Sequence, residues 1–314
     1  MKKIVYILFA AGFLAACGGS HKEEASSEKL TGAISIDGSS TVYPLTEAVA
    51  EEFKATAADV RVTVGLSGTG GGFKKFGRGE IDINDASRTI KKAEDSTCKA
   101  AGIDFCELKV AFDGLAVVVS PENTWCADIT VAELKMIWEP AAQGKIMRWN
   151  QIRKEWPNEE IHLFGPGVES GTYDYFTEAV VGKSHSSRGD YTASEDDNVL
   201  VQGIRNDKNA LGFFGLAYFT ENQDKLKLVA VNNGNGAVLP TEQTVKDKTY
   251  APLSRPLFIY VSKKAAERKE VVEFVKFYLA NTKTLTKDVG YIAMTDQEIE
   301  AEVAKFKAFI GETK

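Results

Sequence analysis

A strand, a turn of small residues and a helix start follow one another in residues 62–88, and this segment constrains the fold most. Residues 62–64 are β-branched and predict the strand, residues 67–72 are rich in glycine and hydroxyls and predict the turn, and the helix is predicted from Phe73. Glycine lets backbone N–H groups point outward, and a helix start adds partial positive charge. The segment therefore predicts an anion site, although such a turn can also serve only as a connection.

The same order of strand, hydroxyl-rich turn and helix is predicted twice more, at residues 33–57 and 161–181. The candidate hydroxyls of these two turns include Ser40 and Thr41 in the first and Ser170 and Thr172 in the second. Hydroxyls and main-chain N–H groups at three helix starts supply the many donors that a buried oxyanion requires. The alternative is that each hydroxyl only caps its own helix.

Two charged residues, Asp85 and Arg88, follow the short apolar stretch at residues 81–83. A guanidinium is a planar fork of donors that matches an oxyanion, so we expect Arg88 to contact the anion.

Length and composition predict a two-domain α/β protein. The chain has 314 residues, 44% of them apolar and 26% charged, which is typical of a globular protein. Predicted strands and helices alternate throughout, which indicates α/β architecture. The net charge of −6 argues against a nucleic-acid partner, which would require a basic surface.

The N-terminus is predicted to be a signal peptide, residues 1–16, because two lysines precede an apolar run too short to span a bilayer. The sequence L-A-A-C-G around Cys17 matches the lipobox of bacterial lipoproteins. We therefore expect a lipid on Cys17, a flexible tether over residues 17–30 and attachment to the membrane at the periplasmic or extracellular face. The alternative is an ordinary export signal.

The remaining cysteines, Cys98, Cys106 and Cys126, suggest one disulfide and one free thiol in an oxidising compartment. Cys98–Cys126 is the favoured pair, although the sequence does not fix the connectivity. No C-x-x-C pair is present and the only histidines are His21, His162 and His185, so these cysteines are not expected to bind a metal. No cofactor is expected either.

An ordered set of segments resembles the phosphate-binding proteins of high-affinity phosphate ABC importers. The segments are I-D-G-S-S-T-V-Y-P-L-T-E (36–47), S-G-T-G-G-G-F (67–73), D-A-S-R (85–88), S-G-T-Y-D-Y-F (170–176), S-E-D-D-N-V-L-V-Q-G-I (194–204) and R-P-L-F-I-Y-V (255–261). The resemblance implies a type II periplasmic-binding-protein fold, in which two α/β lobes joined by two crossings close on one phosphate. Lobe I would comprise residues 31–118 and 251–314, and lobe II residues 119–250.

The resemblance also implies a set of ligand contacts. They are Ser40, Thr41 and the main chain of Val42, then Ser67, Thr69 and Gly70, and finally Ser170, Gly171 and Thr172. In the family pattern an Asp accepts a proton from the ligand, and an Arg lies four residues before the S-G-T serine. Here Arg88 stands at the Asp position and Pro166 at the Arg position. Asp85 is the nearest substitute acceptor, and rejection of fully ionised sulfate is in question.

The sequence thus predicts a monomeric receptor that captures inorganic phosphate and delivers it to ABC-importer permease subunits, without enzyme activity. Three alternatives remain open. They are a receptor for sulfate, molybdate or tungstate, a phosphate-ester hydrolase with a base or metal near Ser170, and a scaffold whose cleft binds nothing.

Overall fold

The computed structural model describes residues 29–168, 170–194 and 196–312. The predicted signal peptide, Cys17 and nearly all of the predicted tether lie outside these residues. Within the described part, no helix is both long enough and apolar enough to cross a bilayer.

Strands and helices alternate along the described chain, as predicted for an α/β protein. The strands are β1 (Gly32–Gly38), β2 (Val60–Val64), β3 (Ile83–Ala86), β4 (Phe105–Val119), β5 (Asp128–Thr130), β6 (His162–Pro166), β7 (Thr192–Ser194), β8 (Ala210–Gly215), β9 (Lys227–Leu228), β10 (Ala230–Asn232), β11 (Ala237–Val238) and β12 (Ser254–Ser262). The α-helices are α1 (Tyr43–Thr56), α2 (Gly68–Phe76), α3 (Lys92–Ala100), α4 (Val131–Trp138), α5 (Gly171–Phe176), α6 (Asp197–Arg205), α7 (Leu216–Glu221), α8 (Glu242–Lys246), α9 (Lys269–Asp288) and α10 (Asp296–Ile310). A π-helical turn, Thr177–Val181, continues α5.

One nine-stranded sheet runs through the molecule in the order β2-β1-β3-β12-β4-β8-β6-β7, with β9 paired to β4. Strands β1, β2 and β3 are parallel, and so are β6, β7 and β8. The long strand β4 pairs with β12 as far as Gly114 and with β8 from Leu115 onward. This change of partner makes β4 one of two connections between the halves of the sheet, and the segment leading into β12 is the other.

Separate hydrophobic cores lie on either side of this connection. The buried residues of two clusters come from 34–111 and 257–306, which we call the first lobe. Those of the third cluster come from 112–253, with Met294, and we call this part the second lobe. Burial of apolar side chains within each lobe stabilises the two halves independently, so the connection between them can bend.

Helix α2 begins at Gly68, earlier than the sequence predicted, because the glycine-rich turn is itself the first part of the helix. Close packing explains Gly72, because a Cβ there would lie 1.9 Å from Oδ1 of Asn84 and 2.7 Å from Cα of Gly38. Gly72 therefore lets α2 approach β1 and β3. The N–H groups at the first turn of α2 remain without intrahelical partners, as at any helix start.

The expected Cys98–Cys126 disulfide is wrong, since Cys98, Cys106 and Cys126 are all free and buried in the structure. Cys98 belongs to a core of the first lobe and Cys126 to the core of the second. Each thiol packs as a small apolar side chain, and burial raises the pKa of Cys106 to about 11 and that of Cys126 to about 12.

Gly72→Ala should destabilise the protein by about 1–3 kcal/mol, because the added methyl group overlaps Asn84 and the backbone of β1. Gly70→Ala is the matched control in the same helix, since its Cβ would lie 3.7 Å from Nη2 of Arg88, an ordinary contact distance. We expect the control to gain up to about 1 kcal/mol from helix propensity. Urea unfolding of both variants measures the difference, and equal stabilities would contradict the packing role of Gly72.

Candidate functional site

A cleft of about 870 Å³ lies between the lobes, where the predicted turns meet. Its lining includes most of the predicted contacts of the first lobe, namely Ser40, Thr41, Ser67, Thr69, Gly70 and Arg88. The second lobe and the connection contribute side chains that the sequence analysis did not select, among them Asp174, Tyr175, Glu178, His185 and Arg255. Polar groups from both lobes therefore face one space.

The turn between β1 and α1 makes direct contact with the second lobe. The hydroxyl of Ser40 donates a 2.6 Å hydrogen bond to Oδ2 of Asp174, and the hydroxyl of Thr41 donates a 3.3 Å bond to the carbonyl oxygen of Gly171. A Cβ on Gly171 would lie 2.9 Å from Cα of Thr41, so glycine is required for this approach. These contacts bring the first and third predicted turns together across the cleft.

Arg255 links the connection to both lobes. Its Nη2 donates a 2.6 Å hydrogen bond to the hydroxyl of Thr41, and its guanidinium carbon lies 3.4 Å from the centre of the Tyr175 ring. On the neighbouring strand β4, Oδ2 of Asp113 lies 3.4 Å from Nε of Arg255. Burial raises the pKa of Asp113 and the arginine opposes that rise. The result is an ion pair in which the aspartate is 1% exposed and the arginine 11%.

Neighbouring polar groups fix the hydroxyls of Ser67 and Thr69, at the start of α2, by hydrogen bonds. Ser67 donates a hydrogen bond to the carboxylate of Asp37, which also pairs with Lys75. Burial opposes ionisation of Asp37, but the hydrogen bonds from Lys75 and Ser67 lower its pKa. Thr69 accepts a 3.1 Å hydrogen bond from the backbone N–H of Ser87, and thereby fixes the end of β3 beside this turn.

Arg88 lies at the cleft with both terminal nitrogens occupied by Glu94. Nη1 and Nη2 each donate a 2.8 Å hydrogen bond to one oxygen of that carboxylate. Hydrogen bonding to Glu94 raises the pKa of Arg88, and the guanidinium also lies 5.6 Å from the ring centre of Phe73. The guanidinium of Arg88 is thus held in place by Glu94 of the same lobe.

Several predicted residues do not line the cleft. These are Val42, Asp85, Ser170, Gly171 and Thr172. Val42 is fully buried at the start of α1. Ser170 accepts a 3.2 Å hydrogen bond from the N–H of Thr172, so its side chain caps α5. The third turn consequently contributes mainly through its contact with the first.

Asp85 lies inside β3 with its carboxylate buried in the first lobe. Both carboxylate oxygens are buried, and hydrogen bonding from the hydroxyl of Thr46 opposes the effect of burial only in part. Burial raises the pKa of Asp85 from 3.8 to about 8. The structure therefore does not bring this side chain to the cleft as a substitute acceptor.

Known proteins match both the sequence and the fold. The model of the PBP superfamily domain matches residues 23–282. The chain belongs to the PBP superfamily. Protein SphX from Synechococcus elongatus is 49% identical over 287 residues, which cover 91% of this chain and 84% of the relative. Phosphate-binding protein PstS from Staphylococcus aureus is 36% identical over an alignment that covers 100% of this chain and 95% of the relative.

Solved structures of superfamily members share this fold. A possible phosphate binding protein from Planctomyces limnophilus superposes with a TM-score of 0.86 and 48% identity, covering 89% of this chain and 99% of that one. A putative phosphate ABC transporter substrate-binding protein from Clostridium perfringens, solved with bound phosphate, gives a TM-score of 0.55 and 26% identity over 84% of this chain and 100% of that one. These matches confirm the two-lobe periplasmic-binding-protein fold and the resemblance to phosphate-binding proteins.

Among the cleft residues that the sequence analysis did not select, Asp174 and Arg255 make hydrogen bonds to the first turn. A signal existed for each, since Asp174 follows the S-G-T turn by two positions and Arg255 begins the otherwise apolar segment 255–261. Neither residue sits in a glycine-rich turn, which was the pattern that selected candidates. Among the described residues, no group of three or more His, Cys, Asp or Glu side chains could hold a metal ion.

Asp85→Asn should remove a pH dependence of stability. The folded state keeps the Asp85 proton up to about pH 8, whereas the ordinary pKa is 3.8, so the folded state binds more protons and loses stability as pH rises through this window. The loss approaches about 1.4 kcal/mol per pH unit. Unfolding curves of wild type and variant should agree near the acid end and diverge towards the alkaline end, with the variant more stable.

A matched control for this measurement is Asp224→Asn, which changes an exposed carboxylate. It should leave the slope of stability against pH as in the wild type. If Asp85→Asn also left the slope unchanged, the buried, uncompensated position of Asp85 would be contradicted.

Proposed function

We propose that this protein captures inorganic phosphate in the cleft between its lobes and delivers it to the permease of an ABC importer. The convergence of Ser40, Thr41 and Arg255 with the second lobe is the observation that carries this proposal. Support comes from the relatives, since PstS of S. aureus is named a phosphate-binding protein and the C. perfringens protein was solved with bound phosphate.

The first lobe would supply most donors to the phosphate oxygens. Its strands β2, β1 and β3 are parallel neighbours, so the turns after their carboxyl ends lie on one edge of the sheet. We propose that the hydroxyls of Ser40, Thr41, Ser67 and Thr69, with the N–H group of Gly70, are the donors, because these residues line the cleft. The main chain of Val42 and the third turn (Ser170, Gly171 and Thr172) do not line the cleft, and their contact with the ligand stays a prediction. Hydrogen bonds to a charged acceptor are worth roughly 1.5–3 kcal/mol each.

Arg255 would supply the positive charge that the ligand meets at the base of the cleft. It already donates to Thr41, and its pairing with the buried Asp113 fixes the guanidinium between the lobes. Arg88 would add a second cation at the opposite wall, balanced by Glu94. Because both arginines are paired with carboxylates, neutral donors carry much of the binding, and neither guanidinium is left unpaired in the protein without ligand.

Hinge closure would couple binding to delivery. Ligand contacts from both lobes would stabilise the closed state. The permease would release the ligand by opening the cleft between the lobes. The bending element would be the connection at β4 and the segment entering β12, where the sheet changes partners. The lobe boundaries at residues 118/119 and 250/251 remain a prediction.

We place the protein outside the cytoplasm, because the receptors of phosphate importers act there. The finer proposal is a monomeric lipoprotein attached through a lipid on Cys17, with residues 17–30 as a tether. Mass spectrometry of the membrane-extracted protein tests it: a diacylglycerol-modified Cys17 at the mature N-terminus is expected, and an unmodified, soluble product would contradict the anchor.

A hydrolase is less well supported. Ser40 donates to a carboxylate, Asp174, rather than to an imidazole, and the hydroxyl of Ser170 is used as a helix cap. An attacking serine needs a base that takes its proton, and neither contact provides an activated hydroxyl. We therefore propose binding without chemistry on the ligand.

Calorimetric titration of the ligand-free protein with phosphate tests the proposed function. We expect one phosphate per chain, and competition with sulfate, molybdate and tungstate would identify a broader oxyanion receptor. Absence of binding to all four anions would overturn the proposal.

Arg255→Lys should lower phosphate affinity at least about tenfold, because lysine keeps the charge but loses the planar fork that contacts Thr41 and stacks on Tyr175. Arg205→Lys is the matched control, since Arg205 is exposed in the last turn of α6. The same titration measures both variants. Wild-type affinity in Arg255→Lys would exclude this residue from the site.

A further inference from the structure

A short segment between α9 and α10, residues 290–294, contacts both lobes and the turn between β1 and α1. We infer that Tyr291 in this segment is a positioning residue for phosphate binding, which fixes the Thr41 backbone so that the Thr41 hydroxyl is held at the cleft. This role rests on the proposed function and deepens it, because it names a residue that acts on the ligand through Thr41. Thr41 lines the cleft, whereas Tyr291 is not among the lining residues.

The end of α9 directs Tyr291 towards the first turn. Gly290 follows the helix with a φ of +78°, and the N–H of Tyr291 donates a 2.8 Å hydrogen bond to the carbonyl of Thr286. A left-handed residue followed by such a bond is a common end of a helix, and glycine adopts this conformation without strain. The chain thereby leaves the helix, and the phenol of Tyr291 reaches Thr41, which lies 250 residues earlier.

The residues around Tyr291 tie the segment to the connection between the lobes. Ile292 and Phe112 of β4 exchange two backbone hydrogen bonds of 2.9 Å each. Met294 is buried in the core of the second lobe, whereas Tyr291 packs against a core of the first lobe. The position of Tyr291 therefore depends on β4, the strand that changes its pairing partner between the lobes.

The phenol of Tyr291 donates a 2.7 Å hydrogen bond to the carbonyl oxygen of Thr41. In a regular helix that carbonyl would accept from the N–H of Leu45. The N–H groups of Leu45 and Thr46 instead both donate to the carbonyl of Val42, at 3.1 and 3.0 Å. Tyr291 therefore takes the place of a helical donor where α1 begins. Burial raises the pKa of Tyr291, so the phenol keeps the proton that this bond uses.

The Thr41 hydroxyl is placed to donate to an anion. It accepts a 2.6 Å hydrogen bond from Arg255, and its own bond to the carbonyl oxygen of Gly171 is 3.3 Å long. A hydroxyl accepts one hydrogen bond while it donates another. Because the bond to Gly171 is longer than usual, an anion oxygen can replace that acceptor while Arg255 stays in contact. A fixed Thr41 backbone keeps the direction of this donor constant.

Calorimetric titration of phosphate into wild type, Tyr291→Phe, Thr41→Val and the double variant tests this role. Phenylalanine keeps the ring that packs in the first lobe and removes only the hydroxyl. We expect Tyr291→Phe to weaken phosphate binding about 3- to 10-fold, the change that one hydrogen bond carries. Because Tyr291 acts through the Thr41 hydroxyl, its loss should cost much less once residue 41 is valine, so the two losses are not additive.

Tyr278→Phe is the matched control, since Tyr278 belongs to α9 and its hydroxyl lies 3.1 Å from that of Thr46, away from the cleft. This variant should keep the wild-type affinity. Thermal unfolding without ligand checks that each variant folds. Amide hydrogen exchange of the ligand-free proteins gives a second measurement, and exchange in residues 39–43 should be faster in Tyr291→Phe than in the wild type or the control.

Wild-type affinity in Tyr291→Phe would overturn the positioning role. Losses that add in the double variant would also overturn it, because Tyr291 would then act independently of the Thr41 hydroxyl. An equal loss in Tyr278→Phe, or unchanged exchange in residues 39–43 of Tyr291→Phe, would do the same, while phosphate binding by the wild type still supported the proposed function. Wild-type protein that bound no phosphate would instead refute the proposed function.

Discussion

The buried ion pair between Arg255 and Asp113 joins the connection to both lobes. Removing two charges from water is costly, and a single 3.4 Å contact compensates only part of that cost. The hydrogen bond from the arginine to Thr41 and its stacking on Tyr175 compensate a further part of this desolvation cost. Since these partners belong to different lobes, the guanidinium makes all of its contacts only when the two halves are arranged around it. The cleft geometry therefore depends on this one cation.

Parallel pairing of β2, β1 and β3 explains why the donors of the first lobe gather in one place. Parallel strands end at the same edge, so turns far apart in sequence become neighbours there. Helix starts at those turns add partial positive charge without bringing a mobile cation. The second lobe repeats the arrangement at β6 and α5, and its Gly171 allows the backbones to meet. The proposed anion site thus lies between two sheet edges that face each other.

The sequence predicted this arrangement well where local chemistry decides it. The strand–turn–helix segments, the α/β class and the hydroxyl residues of the first two turns all follow from spacing and residue type. It failed at Asp85, because side-chain direction depends on where β3 begins and pairs, and a strand places alternate residues on opposite faces. It also misplaced the start of α2, because glycines that serve close packing look the same in sequence as glycines that serve a turn.

The sequence by itself determined the order of the turns and the family, since these depend on residues adjacent in the chain. Only the tertiary structure decided which charges reach the cleft. Arg255 meets Thr41 over a separation of 214 residues, and Asp174 meets Ser40 over 134. Such contacts follow from the register of β4 with its neighbouring strands and from the approach of two separately folded lobes. The burial of each side chain and its distance from charged groups determine its charge state, and both are fixed only when the two lobes are assembled.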